Sequence, residues 1–220
     1  MMHPCLAAGV LSFAGDAAMP MKSVVFDVGN VLFGWDIKAL YAKLIDDPVR
    51  LDWFCITVVT QQWHFQHDAG RPFAETSAEL AACFPAEADL IRAFGPRFNE
   101  TVTGPVPGMP ALVERLAARG VPLFAITNFS DEFWGPFRAV SPIFDHFRDI
   151  IVSGAERLVK PDPAIYALAL RRFGLAPGDA LFVDDRAENV DAAAANGFVG
   201  HLFRDHDRLA TELAGLGLLD

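Results

Sequence analysis

Apolar and polar positions follow two different regimes along the chain. Ser23-Val-Val-Phe26 is a short apolar run that ends in Asp27-Val28-Gly29-Asn30. It reads as a buried strand with a carboxylate at its tip. After Gly34 the period changes. Ile37 to Ile45, Leu51 to Gln62, Phe73 to Phe84 and Ala86 to Phe98 read as helices, with no strand between them. The dense punctuation Gly104-Pro-Val-Pro-Gly-Met-Pro110 then marks a connector.

Beyond it, helices and strands alternate. A helix from Pro110 to Arg119 stops at Gly120, and a strand follows from Val121 to Ile126. The pattern predicts a helix over Ser130 to Val140, a strand over Asp149 to Val152, and a helix opening at Pro163 with Asp162 as its N-cap. It continues with a strand over Ala180 to Val183 and a helix over Arg186 to Asn196. Phe198 to Phe203 is the last strand and Asp205 to Leu216 the last helix.

Such alternation implies an α/β fold, a doubly wound parallel sheet covered by helices on both faces. The helical stretch interrupts it directly after the first strand and reads as an inserted α-helical cap. The expected division is therefore a core of residues 21–35 and 105–220 and a helical cap of 36–104. Residues 1–20 read as a disordered N-terminal extension of the kind a mis-called start leaves, because Met19 and Met21 stand just before the first strand.

Composition narrows the partners. The 220 residues carry a formal charge of −10, with 52% hydrophobic and 21% charged positions. That supports a folded core and excludes a disordered chain. The acidic balance argues against nucleic acid or an anionic membrane surface as partner. No apolar run approaches membrane-span length despite a mean hydropathy of +0.27. Cys5, Cys55 and Cys83 are widely spaced and odd in number, as for buried thiols in a reducing, cytoplasmic compartment. Oligomeric state is left open.

Candidate chemistry sits at the ends of the strands, where open parallel sheets bind ligands. The first strand ends in Asp27, the second in Thr127-Asn128, and a later one in Asp184-Asp185. Lys160 follows the Asp149 strand. Each has a plain structural explanation alone: a turn, a satisfied hydroxyl, a solvated charge, a helix cap. Yet the chain has only four lysines, and Lys160 is the only one after Lys43. Adjacent carboxylates such as Asp184 and Asp185 also repel unless a cation compensates.

Together these groups suit phosphoryl transfer. Asp27 would attack phosphorus and form an aspartyl-phosphate. A divalent cation, Mg²⁺, would bridge Asp27 and Asp185 to the phosphate. The Thr127 hydroxyl and nearby backbone N–H groups would cradle the phosphate, with Asn128 beside them, and Lys160 would neutralise charge.

The ordered set Asp27-Val-Gly-Asn-Val31, Ile126-Thr127-Asn128, Lys160-Pro161-Asp162 and Val183-Asp184-Asp185 resembles the haloacid dehalogenase (HAD) superfamily. The resemblance spans about residues 22–204. It implies a Rossmann-like core, a C1-type cap, and Asp27 as nucleophile. It also implies a metal held by Asp27, the Gly29 carbonyl and Asp185, with Asp184 close by and Asn189 assisting. Asp-x-Gly-Asn-Val is similar to a bacterial sugar-phosphatase subgroup like α-glucose-1-phosphate phosphatase, so the implied substrate is a small anionic sugar phosphate.

One position departs from the pattern. Most phosphatases of the superfamily carry an acid/base Asp two residues after the nucleophile, and here that position is Gly29. Asp36, just past the hinge, and the segment Trp63-His64-Phe65-Gln66-His67-Asp68 are candidate replacements. His67, Asp68 and Arg71 are candidate substrate contacts from the cap. His64 and His67 could equally be partly exposed helix positions. Trp35, Trp53 and Trp63 fit core packing or a sugar-stacking surface. Two other activities remain open: a 2-haloacid dehalogenase using Asp27 without metal, and a non-catalytic phosphate-binding protein on the same fold. A receiver-type switch is excluded by the reversed order of its acidic pair and phosphoacceptor.

Overall fold

A computed structural model describes residues 21–220. The extension expected over residues 1–20, including Cys5, lies outside the described residues. The elements run β1 Ser23–Phe26, β2 Phe33–Trp35, α1 Ile37–Tyr41, α2 Pro48–Trp53, α3 Gln61–Asp68, α4 Phe73–Cys83, α5 Ala88–Ala93 and β3 Val102–Pro105. They continue as α6 Met109–Ala118, β4 Leu123–Thr127, α7 Asp131–Ala139, β5 Asp149–Val152, α8 Ser153–Glu156 and α9 Pro163–Phe173. The last are β6 Ala180–Asp184, α10 Ala187–Ala195, β7 Val199–Leu202 and α11 His206–Gly215.

Five strands form a parallel sheet in the order β5-β4-β1-β6-β7. The central strands β1, β4 and β6 are buried along their whole length, as strands covered on both faces must be. Side-chain alternation separates the faces. Val24 and Phe26 pack into one apolar cluster with Leu112 and Leu116 of α6, whereas Val25 packs into a second with Ile165 and Tyr166 of α9. The fold is thus the doubly wound α/β sheet expected, with helices inserted after β1.

That insertion is less regular than its apolar pattern suggested. The expected helix over Leu51 to Gln62 is three pieces: α2, a π-helical turn at Phe54–Val58, and α3, which restarts where the Thr60 hydroxyl accepts from Trp63 N–H. Two short strands also escaped prediction. β2 and β3 pair antiparallel where the chain leaves and re-enters the core. Strands of three and four residues containing Gly34, Gly104 and Pro105 carry too little apolar alternation to be read. Gly34 is required there, because a Cβ would collide with the Thr103 side chain. Cys55 is buried as expected, but Cys83, at the end of α4, is exposed.

Candidate active site

Register builds the site. Phe26 pairs with Ala125 of β4 and Val183 of β6, and Asp27 N–H bonds the Val183 carbonyl at 2.8 Å. The next residues along, Asp27 and Asp184, therefore emerge beside each other at the carboxyl ends of the strands. Lys160 reaches between them: its Nζ lies 2.7 Å from Asp27 Oδ1 and 2.6 Å from Asp184 Oδ2. All three are buried, Lys160 at 2% exposure and Asp184 at 0%.

The lysine is aimed by its own backbone. Lys160 N–H donates to Asn128 Oδ1 at 2.8 Å, and Asn128 Nδ2 donates to the Lys160 carbonyl at 3.0 Å. Both ends of the Asn128 amide are thus spent on holding the lysine loop against the β4 tip. Asn128, expected to bind phosphate, lines the cavity floor and its side chain positions Lys160.

Asp184 is equally committed. Its oxygens accept from Arg186 N–H (2.9 Å), Asn189 Nδ2 (3.0 and 3.1 Å) and Lys160. Asn189 is in turn carried one turn into α10 and buried. The carboxylate oxygens of Asp27, Asp184 and Asp185 can gather within 4.8 Å of one another. With Asp184 fully bonded, Asp27 and Asp185 are the carboxylates left to face a ligand.

Electrostatics favour a cation there. Burial pushes Asp27 up to about 7, and Asp184 adds to this while Lys160 opposes it. Burial and then Asp184 also raise Asp185. Burial draws the Lys160 ammonium towards neutrality, but Asp184 and Asp27 outweigh it and hold the proton more tightly than usual. Three carboxyls share one ammonium, so the cluster carries excess negative charge.

A cavity of about 320 Å³ opens above this cluster. Asp27, Gly29, Asn128, Lys160 and Asp185 form its floor, and Gln61, His64, Phe65 and Asp68 of α3 face them. Much of the wall is aromatic: Phe33, Trp35, Phe98, Phe129 and Phe137. These rings hold one another, with Phe98 and Phe129 at 5.1 Å and Phe129 and Phe137 at 5.3 Å between centroids.

Several expected residues fall elsewhere. Asp36 is exposed and caps α1, accepting from Lys38 N–H at 2.9 Å, so its carboxylate serves the helix end. Arg71 is a half-buried charge paired with Glu79 at 2.7 Å. His67 is buried in the insertion's aromatic core, bonded to Thr76 Oγ1 at 2.6 Å, and outside the cavity wall. Thr127 is buried at the β4 tip, with Asn128 and Phe129 rather than Thr127 lining the cavity. Trp35 lines the cavity, Trp63 is buried among aromatic rings, and Trp53 is 43% exposed.

Of the expected contacts from the insertion, Asp68 alone reaches the cavity wall. Burial, with Asp27 adding and Lys160 opposing, raises it to about 8. His64 is stacked 4.7 Å from Trp35 and lowered to about 3, by burial first and then by His67. The two stand 3.7 Å apart, yet burial penalises both ions, so the pair is neutral around pH 6.

Ser153 is a positioning residue that the sequence did not reveal. Its hydroxyl donates to the Asp68 carbonyl at 2.6 Å and accepts from Phe129 N–H at 3.0 Å, joining the insertion to the β4 loop. Beside it, Gly70 (φ +87°) approaches so closely that a Cβ would lie 2.8 Å from the Gly154 carbonyl. A small-residue pair at the end of β5 was the available signal.

Residues 21–197 match the haloacid dehalogenase-like hydrolase family. The chain belongs to that family. It is an enzyme of the hydrolase class. Among relatives, it is 29% identical over 202 residues to the sesquiterpene phosphatase astK of Aspergillus oryzae, covering 86% of this chain and 92% of that protein. It is 33% identical over 132 residues to phosphoglycolate phosphatase 1 of Pseudomonas aeruginosa, which covers 60% of this chain and 45% of that one. The fold matches a HAD family enzyme from Bacteroides thetaiotaomicron in its magnesium complex, with a TM-score of 0.68 and 18% identity over 89% of this chain and 99% of the other. Among the described residues, no helix is long and apolar enough to cross a membrane.

Proposed function

We propose that the chain is a magnesium-dependent phosphomonoester hydrolase that works through an aspartyl-phosphate on Asp27. The observation that carries this reading is the Lys160 ammonium bonded to both Asp27 and Asp184 on the floor of a cavity that Asp185 also lines. The donors are hard oxygens in negative excess, a set that fits Mg²⁺. Asp27 and Asp185, with the Gly29 carbonyl, would hold it. Bound there, the metal supplies charge neutralisation for a carboxylate meeting a phosphate.

The chain's own groups do the rest. Asp27 Oδ2 attacks phosphorus, while Lys160 stabilises charge on both nucleophile and phosphoryl oxygens. Asp184 keeps the ammonium in place, and Asn128 fixes the loop that carries it. The aromatic wall excludes water from the phosphoryl group until the leaving group departs.

That wall also bears on the substrate. A polyhydroxylated sugar needs many polar partners, whereas Phe33, Phe98, Phe129 and Phe137 offer none. The cavity favours an ester with a hydrocarbon body over the sugar phosphate suggested by the sequence. The phosphatase with 29% identity named for a sesquiterpene points the same way. We place the enzyme in the cytoplasm, acting on a small metabolite.

The test is a panel of alkyl, prenyl-like and hexose phosphates assayed with Mg²⁺ and with EDTA. Phosphate release that needs Mg²⁺ and favours apolar esters is the expected result. Halide release from 2-haloacids in EDTA, with no phosphatase activity, would overturn it.

A further inference from the structure

We propose that Asp68 is the general acid and base of the reaction, delivered from α3 across the cavity to the leaving-group oxygen. The inference rests on the phosphatase reading and supplies what that reading lacks. Gly29 stands where a proton donor is otherwise expected, and the reason is not steric. A Cβ at Gly29 would meet nothing within 4 Å, and its φ lies outside the left-handed region. The backbone there accepts any side chain, so the glycine leaves the proton to come from elsewhere.

Asp68 is suited to provide it. It is 6% exposed, lines the same cavity as Asp27, and its Oδ1 has no hydrogen-bond partner. An unpaired buried carboxyl oxygen is destabilising and requires an explanation. On its own helix, His64 Nε2 lies 3.7 Å from Oδ2, beyond hydrogen-bond distance. The other charges bearing on it are Asp27 and Lys160 on the cavity floor. Burial and the Asp27 charge keep the carboxyl protonated near neutral pH, the state a proton donor needs.

Its placement is enforced. The Ser153 hydroxyl holds the Asp68 carbonyl at 2.6 Å and accepts from Phe129 N–H. Residue 68 is thereby fixed relative to the loop that follows Thr127 and Asn128. Other candidates lack either access or a transferable proton. Asp36 caps a helix in solvent, His67 bonds Thr76, and His64 is neutral.

The steps balance. As the Asp27 oxygen bonds to phosphorus, the P–O ester bond breaks, its electron pair stays on the leaving oxygen, and that oxygen takes the Asp68 proton. The Asp68 carboxylate then accepts a proton from water as that water attacks phosphorus. The P–O bond to Asp27 breaks, regenerating the Asp27 carboxylate and protonated Asp68.

The experiment compares kcat/KM for 2,4-dinitrophenyl phosphate, whose leaving group needs no proton, with that for hexyl phosphate, whose alkoxide does. Wild type, Asp27→Asn, Asp68→Asn and Asp68→Asn/Gly29→Asp are assayed with Mg²⁺. Asp68→Asn should lose about 10²–10⁴-fold on hexyl phosphate and less than about threefold on the dinitrophenyl ester. It should also release a burst of dinitrophenolate as the phosphoenzyme accumulates. The double variant should regain at least about tenfold on hexyl phosphate. Equal loss on both esters, with wild type active and Asp27→Asn dead, overturns the Asp68 assignment alone. A wild type that cleaves neither ester overturns the phosphatase reading, and the assignment with it. Asn is isosteric with Asp, and a thermal midpoint at pH 5 no lower than that of wild type excludes misfolding as the cause of any loss.

Discussion

The cavity floor and the helix facing it bury ionisable groups to the same degree and resolve the problem in opposite ways. On the floor, Asp184 at 0% exposure has both oxygens saturated by four donated hydrogen bonds, one of them from the Lys160 ammonium. Across from it, Asp68 and His64 are nearly as buried, have almost no partners, and stay neutral. A saturated charge is held rigid and fixes a geometry, while an unsaturated neutral acid retains a proton it can transfer. Under the proposed mechanism the two walls would divide the labour of one reaction.

The comparison breaks most sharply at the nucleophile. Asp27→Asn should reduce turnover by about 10³-fold or more on every ester, measured by phosphate release, because covalent catalysis is lost. Lys160→Ala leaves Asp27 and Asp184 as an uncompensated buried pair. It should lower stability by about 3–5 kcal/mol in denaturant titration and abolish most activity. His67→Ala removes only the bond to Thr76 and ring packing. It should cost about 1–3 kcal/mol while leaving the ratio of kcat/KM between the two test esters unchanged.

Subtler is the pH dependence of Asp68. Its folded value of about 8 lies above the ordinary 3.8, so the folded state binds the proton more tightly than the unfolded chain. That contribution to stability is complete below about pH 4 and is lost as pH rises to about 8. The neutral Asp68→Asn lacks this loss. Its thermal midpoint relative to that of wild type should rise between about pH 4 and 8 and stay constant above. The smallest effect belongs to Arg71→Ala, which removes a solvent-exposed ion pair and should change kcat/KM less than about twofold.

The floor was legible in sequence and the opposite wall was not, for a physical reason. Strand tips in a parallel sheet are adjacent by topology, so Asp27, Lys160 and Asp184 could be grouped without knowing any packing. Asp68 meets them only through the angle at which α3 packs on the core, and a helix period carries no such information. Asp36 illustrates the converse. Its place after the hinge suggested chemistry, yet a carboxylate one residue before a helix has a local use that wins. The polar strand tips were readable, but the aromatic wall was not. Its rings come from β2, from the loop and helix after β4, and from a 3₁₀ turn at Phe98–Thr101.

The seam at Ser153 would give turnover a timing element if substrate enters past α3. A ligand that enters by parting α3 from the β4 loop must break the bond from the Ser153 hydroxyl to the Asp68 carbonyl, while Ser153 and Gly154 stay bonded to Phe129. Opening would then withdraw the proton donor from the nucleophile in one movement, and hydrolysis could proceed only in the shut enzyme. The Phe129 amide reports on the hydroxyl that makes this bond. Its deuterium uptake should be slow at rest and quicken when Ser153→Ala removes the shared hydroxyl.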